Sequence, residues 1–332
     1  MQLKLSDLTQ AWAAKDPSLV DYIIALSQQT DSAPKTPIRA EALTFKKVLQ
    51  AMHNYTAMQQ KTKAEQYAWR VTQWQLLEAE DAEAPLPERL KLYKILFLLW
   101  QDDSLYARHV LLEVIQRIPL VYGAWRALKH IFKTSEQRND YTLLGAIAAR
   151  LDTEVKPEFS QGTLLYMRRR AWRYLRNLGH NLSAVYPEAA THFLAAYTEQ
   201  TNWSQTWIAN HIFFHETNAY GWHYFGYVSP NANLLDKRAF KATWQRSPEP
   251  LLRLLSMARA EKVRKYACDA LKTDFKVVLR NVDPQWLIEL ANLNVKSPAI
   301  DNLIVWLLQN SPKLEQQNFR QLGLHSVVIS LL

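Results

Sequence analysis

A chain of 332 residues, 48% hydrophobic and 21% charged, has the composition of a folded protein, and its length calls for two ordinary domains or one elongated repeat array. Seven glycines, about 2% against a typical share of roughly 7%, exclude glycine-rich phosphate loops and argue against many tight hairpins. The net charge of +9 predicts attraction to polyanions, while the single cysteine, Cys268, excludes an internal disulfide and fits a reducing, cytoplasmic setting.

In chain order, residues 1–30 read as an N-terminal helical segment with Leu5, Leu8, Trp12, Leu19, Tyr22, Ile23 and Leu26 as its apolar set. Residues 31–39 hold two prolines and little to bury, and read as a linker. Residues 40–332 are expected to form one α-helical repeat array. It opens with a hairpin broken near Asn54, and an acidic, proline-containing break follows at 80–88. Helices are then predicted near 87–101, 104–118, 121–133 and 136–151, separated by Asp102-Asp103-Ser104, Pro119 and Ser135, with Ser104 as an N-cap. Further helices are predicted near 158–178, 183–198, 203–219, 237–245, 248–260, 260–273, 275–279, 284–293, 298–309 and 312–322. Gly179 is expected to stop the 158–178 helix. Residues 203–230, which contain Gly221 and Gly226, are expected to form an aromatic-rich irregular insertion.

Self-similarity accompanies this pattern. Ala-Trp-Arg occurs at 68–70, 124–126 and 171–173, at spacings of 56 and 47 residues, and Ser-Pro recurs at 229, 247, 297 and 311. The helical-hairpin period resembles HEAT and armadillo arrays, and that resemblance implies a right-handed α-solenoid of irregular helical-hairpin repeats. The segments Gly123-Ala-Trp-Arg-Ala-Leu-Lys129 and Tyr166-Met-Arg-Arg-Arg-Ala-Trp-Arg-Tyr-Leu-Arg176 are also similar to helical regions of large bacterial proteins that carry a DNA-associated WGR module. No Trp-Gly-Arg sequence occurs here, so that module itself is absent. The chain ends in the apolar Val327-Val-Ile-Ser-Leu-Leu332, where an array needs a polar cap, so a continuation or a covering partner is expected there.

The strongest surface signal is Thr163 to Gly179. At 100° per residue, Leu164, Ala171, Leu175 and Leu178 share one face, and Tyr166, Arg169, Arg170, Arg173, Arg176 and Asn177 share the other. Arg168 falls on the apolar side, so it is expected to act as a structural pin bonded to a carboxylate or carbonyl. The four outward arginines repel one another unless an anion lies across them. That anion is an acidic protein partner, a nucleic acid, or Asp and Glu of a neighbouring repeat. Lys237, Arg238, Lys241 and Arg246 beside Trp244, with Arg259, Lys262, Arg264 and Lys265, would extend a basic track for nucleic acid if they shared one face.

The second unusual stretch is 203–227, from which Trp207, Trp222 and Tyr224 are candidate partner contacts. His211 and His215 are four apart on a predicted helix, a spacing that can chelate a metal, with Glu216 or His223 as a third ligand. The competing reading is histidines hydrogen-bonded inside an aromatic cluster, and no metal or other cofactor is expected. No nucleophile elbow, phosphate loop, dinucleotide fingerprint or cysteine cluster occurs, so no catalytic residue is assigned. HEAT-like DNA glycosylases supply one enzymatic alternative by fold analogy. Asp102 and Asp103 beside Trp100 would carry it, although a capping turn accounts for them more simply. The expected function is a non-enzymatic scaffold that binds a protein partner through a basic and aromatic concave surface, with a nucleic-acid-binding solenoid as the alternative. No membrane association is expected, since no run approaches the roughly 18 apolar residues of a span.

Overall fold

A computed structural model describes residues 2–29, 62, 64–65, 68, 88–182, 184–215, 235–293, 296–314 and 318–330. The fold is all-α: the described residues form helices and no strand, with one isolated bridge between Thr198 and Arg259. The linker expected at 31–39 lies outside the described residues, as does nearly all of the hairpin expected over 40–80. Two compact units divide the chain, residues 1–134 with 156–161, and residues 135–155 with 162–332. No helix among the described residues is long and apolar enough to cross a membrane.

In the first unit, α1 (Leu5–Ala13) pairs with α2 (Leu19–Gln28), and α2 packs against α4 (Leu105–Arg117), which in turn pairs with α3 (Leu92–Asp102). Leu8, Leu19, Ile23, Leu26, Ile95, Leu99, Val114 and Ile115 recur at helical spacing and are all fully buried. Ser104 caps α4 as expected, its hydroxyl accepting from the Ala107 amide at 3.2 Å. Within α5 (Tyr122–Arg138), Trp125 of the second Ala-Trp-Arg copy stacks on Phe159 at 4.1 Å, and Arg126 lies over the Tyr93 ring at 4.1 Å. Glu158 pins the start of this helix: one oxygen pairs with Arg89 and the other accepts from the Tyr122 amide at 2.9 Å.

The predicted break at Ser135 does not occur. Ser135 is buried and α5 runs on to Arg138, because the polar signal there faces inward rather than capping a new helix. The turn comes at Asn139, whose φ of 55° is left-handed, followed by Asp140, whose carboxylate caps the Leu143 amide at 3.1 Å.

The second unit contains α6 (Tyr141–Thr153), α7 (Gln161–Asn181), α8 (Tyr186–Ala195), α9 (Ile208–Phe214), α10 (Lys241–Trp244), α11 (Glu249–Met257), α12 (Glu261–Asp274), α13 (Lys276–Arg280), α14 (Pro284–Ala291), α15 (Pro298–Asn310) and α16 (His325–Ser330). Packing passes between near neighbours: α6 on α8, α8 on α11, α11 on α12, α12 on α15, α15 on α14 and α14 on α16. Proline starts α14 and α15 where the sequence predicts, whereas among the described residues the helix expected over 312–322 is only a 3-10 turn at Pro312–Leu314. Asp283 and Ser297 cap α14 and α15, each with proline at the first helical position. Where α6 meets α8 the backbones are so close that a β-carbon at Gly145 would lie 2.8 Å from the His192 carbonyl oxygen.

Gly179 is not a helix stop. The helix continues through it to Asn181, and the space a side chain would fill is taken by the ring of Phe240. That ring packs edge-on against His180 at 5.0 Å and Tyr186 at 4.7 Å, and Phe240 itself holds a left-handed φ of 53°. Glycine serves here for close approach, so any β-carbon at 179 must displace the Phe240 ring.

Candidate functional site

Helix α7 is amphipathic as read. Leu164, Met167, Ala171, Trp172, Leu175 and Leu178 are buried, and Arg169, Arg173 and Arg176 are exposed on the opposite face. Arg168 is the pin, its side chain half-buried. Its Nε donates to the Leu151 carbonyl at 3.0 Å, and its Nη2 donates to the carbonyls of Asp152 at 3.0 Å and Glu154 at 2.7 Å. Those carbonyls belong to the end of α6 and the residue after it, where an arginine satisfies acceptors that the helix leaves open.

The outward arginines are not equivalent. Arg170 is half-buried and committed: its Nε donates to Glu136 at 2.6 Å and its Nη1 to the Tyr166 hydroxyl at 3.4 Å. Burial alone would lower its pKa, but the bonds to Glu136 and Tyr166 outweigh that and raise it. Arg173 lies over the Tyr166 ring at 5.7 Å. Tyr166, 49% exposed, therefore stands between two guanidinium groups and spaces them. Among the described residues, Arg169, Arg173 and Arg176 have no carboxylate partner.

Beside this face is an open cleft of about 510 Å³, lined by Arg170, Arg173, Arg176, Asn177, His180, Glu136 and Tyr174. Tyr174 forms a neutral wall: its hydroxyl donates to the Asn139 side chain at 2.7 Å, and burial, with Tyr141 and Glu136 nearby, pushes its pKa up. Asn177 lines the cleft too, its side-chain oxygen accepting from Asn181 at 2.6 Å. Three arginines against one glutamate leave two positive charges on the lining.

Of the three aromatic contacts predicted in the second stretch, only Trp207 is among the described residues. Trp207 is 5% exposed and belongs to the core, because its amide is drawn to the buried Asp152 carboxylate. Trp222 and Tyr224, with Glu216 and His223, lie outside the described residues. His211 is buried, its Nδ1 is 2.8 Å from the Trp207 carbonyl oxygen, and its ring packs on Trp207 at 4.0 Å and Trp172 at 4.9 Å. His215 also packs on the Trp172 ring, at 5.2 Å. Among the described residues no group of three His, Cys, Asp or Glu side chains is placed to hold a metal.

Burial pushes the His211 imidazole down to about 4, partly opposed by the bond to Trp207 and aided by His215. The folded value is below the unfolded one, near 6.5, so between the two the unfolded chain takes a proton that the fold refuses. The stability that neutral His211 contributes is complete above the unfolded value and is lost as pH falls. Urea melts at pH 7 and pH 5 should show wild type losing about 2 kcal/mol relative to His211→Gln. Equal slopes for the two proteins would mean that His211 is not held neutral.

The second basic stretch is largely neutralised from within. Arg238 is fully buried and paired with Asp274, and Arg264 is buried, donating to the Ala258 carbonyl at 2.6 Å with Glu199 and Glu261 at 3.6 and 3.7 Å. Lys241 pairs with Asp236 at 2.5 Å and Lys265 with Asp269 at 2.7 Å. Lys262 sits over the rings of Trp203, Phe214 and Phe213 at 5.0, 5.7 and 5.8 Å, and desolvation there lowers its pKa. Trp244 is fully buried, so the aromatic interleaving expected of a nucleic-acid track is a core feature. Cys268 is buried, which pushes its thiol up to about 12 and leaves it unreactive.

Asp102 and Asp103, the carboxylates of the glycosylase alternative, are both engaged in the turn before α4. Asp102 accepts from the Ser104 hydroxyl at 3.1 Å and the Trp12 indole at 3.3 Å, and Asp103 pairs with Arg108 at 2.9 Å.

Sequence reasoning missed two residues that organise the second unit, Asp152 and Glu136. Asp152 is buried, with one oxygen accepting from the Trp207 amide at 2.8 Å. The other accepts from the Tyr197 hydroxyl at 2.7 Å and the amides of Ile208 and Ala209 at 2.9 and 3.3 Å. Burial raises its pKa, while Arg168, Tyr197 and the amides of Trp207 and Ile208 pull it back. Glu136 supplies the one carboxylate of the cleft from a position 34 residues before Arg170, a separation that carries no periodic signal. Comparison of the chain with protein-family models, with curated proteins and with solved structures returned no match.

Proposed function

We propose that the chain is a non-enzymatic, cytoplasmic scaffold, an α-solenoid of irregular helical hairpins, that binds an acidic segment of a partner protein along the arginine face of α7. The observation that carries this is the cleft at Arg173 and Arg176, exposed guanidinium groups with no carboxylate partner among the described residues. The neighbour-to-neighbour packing of α6, α8, α11, α12 and α15 supports the repeat reading, since stacked hairpins touch only what adjoins them.

An acidic peptide fits this face better than nucleic acid does. The basic residues near 237–265 are mostly paired, and Trp207 and Trp244 are buried where a base cannot stack on them. Fluorescence anisotropy with labelled poly-glutamate, single-stranded DNA and duplex DNA tests the choice. Poly-glutamate should bind at low salt, weaken steeply as salt rises, and outbind both oligonucleotides of equal charge. Tighter binding of either oligonucleotide would give the surface to nucleic acid, and no binding at low salt would remove the reading altogether.

A further inference from the structure

We propose that the cleft on α7 is a receptor for a phosphate monoester, carried on a phosphorylated serine or threonine of the acidic partner segment. This rests on the acidic-segment reading above and makes it specific. The charge of the lining is the first reason. Glu136 is consumed by Arg170 at 2.6 Å, so the charge left uncompensated belongs to Arg173 and Arg176, one turn apart on the same helix face. One carboxylate can neutralise only one of them, whereas a phosphate monoester carries close to two charges and three acceptor oxygens. Two guanidinium forks a turn apart can share such a group while a planar carboxylate is filled by one fork.

Donor inventory is the second reason. Besides the two guanidinium groups, Asn177 lines the cleft, and with its side-chain oxygen accepting from Asn181 its amide has N–H donors to offer. The one carboxylate of the lining, Glu136, is paired with Arg170, and the Tyr174 hydroxyl donates to Asn139. A donor-rich, acceptor-poor lining selects an anion with many oxygens. The cleft, at about 510 Å³, has room for the phosphate and for the residue that bears it. A nucleic-acid phosphodiester matches less well, since it carries only one charge per phosphate.

The test uses the full chain and a short Asp/Glu peptide in three forms, with serine, aspartate or phosphoserine at its centre. The phosphoserine form should bind about tenfold tighter than the aspartate form. That advantage should vanish in Arg173→Gln and in Arg176→Gln and persist in Arg169→Gln, which leaves the lining intact. Glu136→Gln frees Arg170 and should tighten phosphopeptide binding a few-fold, a gain that misfolding cannot produce. Inorganic phosphate should compete only weakly, since it lacks the acidic flanks.

Equal affinity of the phosphoserine and aspartate forms overturns the proposal and leaves the acidic-segment reading standing. Failure of all three peptides at low salt overturns both. A phosphate advantage that survives Arg173→Gln and Arg176→Gln, or a loss of affinity in Glu136→Gln, places the phosphate elsewhere and overturns the proposal.

Discussion

Reversing Arg169 and Arg173 together to glutamate should reduce binding of poly-glutamate by on the order of a hundredfold or more and leave the melting temperature unchanged. Both side chains are exposed, and neither has a carboxylate partner among the described residues, so their removal breaks no internal ion pair. Each reversal turns an attraction into a repulsion, and like charges juxtaposed across an interface cost several kcal/mol. On the folded side, surface substitutions of this kind stay within about 0.5 kcal/mol. The change even relieves the repulsion among Arg169, Arg173 and Arg176, worth a few tenths of a kcal/mol for each neighbouring pair. Anisotropy titration and a thermal melt on the same preparation decide the matter. A melting temperature lowered by several degrees would mean that the stripe belongs to an internal network, and binding would then have to be sought elsewhere.

How α7 presents those arginines was legible because an amphipathic helix writes its buried face at a period of 3.6 residues, and Leu164, Ala171, Leu175 and Leu178 keep that period. The same logic made Arg168 readable as a pin, since a guanidinium on the apolar side must find acceptors, and it finds three carbonyls. The start of α4 was legible for a local reason too, since Ser104 caps within three residues of itself.

What failed depends on partners remote in sequence. Arg238 and Arg264 look like surface charge in a string of basic residues, yet Asp274 and Glu199 reach them from positions that no spacing rule connects. Gly179 carries the signature of a helix end, and only Phe240, 61 positions on in the chain, gives it another use. Ser135 misled in the same way, because a serine is a cap or a buried interior residue according to what packs over it. Trp207 was read as a contact on an irregular loop, and Asp152 turns it inward.

Asp152→Ala should be the most destabilising single change in the second unit, at about 4 kcal/mol, because one carboxylate there satisfies four donors. Removing it strands the Tyr197 hydroxyl and the amides of Trp207, Ile208 and Ala209, all in a site without water contact, and takes the nearby negative charge from Arg168 at 3.8 Å. Each unsatisfied buried donor costs about 1–3 kcal/mol, and partial relaxation keeps the sum near the upper end of measured single mutations. For a unit of this size the melting temperature should fall by about 10 °C. Asp152→Asn should be intermediate, since it keeps one acceptor oxygen but points an N–H2 group at donors. Asp269→Ala, which loses only surface pairs with Lys265 and Lys272, should stay within about 0.5 kcal/mol and serves as the control. The loss has an optical signature as well. The amides at the start of α9 donate to this carboxylate, so on its removal Trp207 should become wetter and its fluorescence shift to the red before global unfolding. An unshifted spectrum and an unchanged melting temperature would show that the start of α9 is fixed by packing alone, through Trp172 and His211.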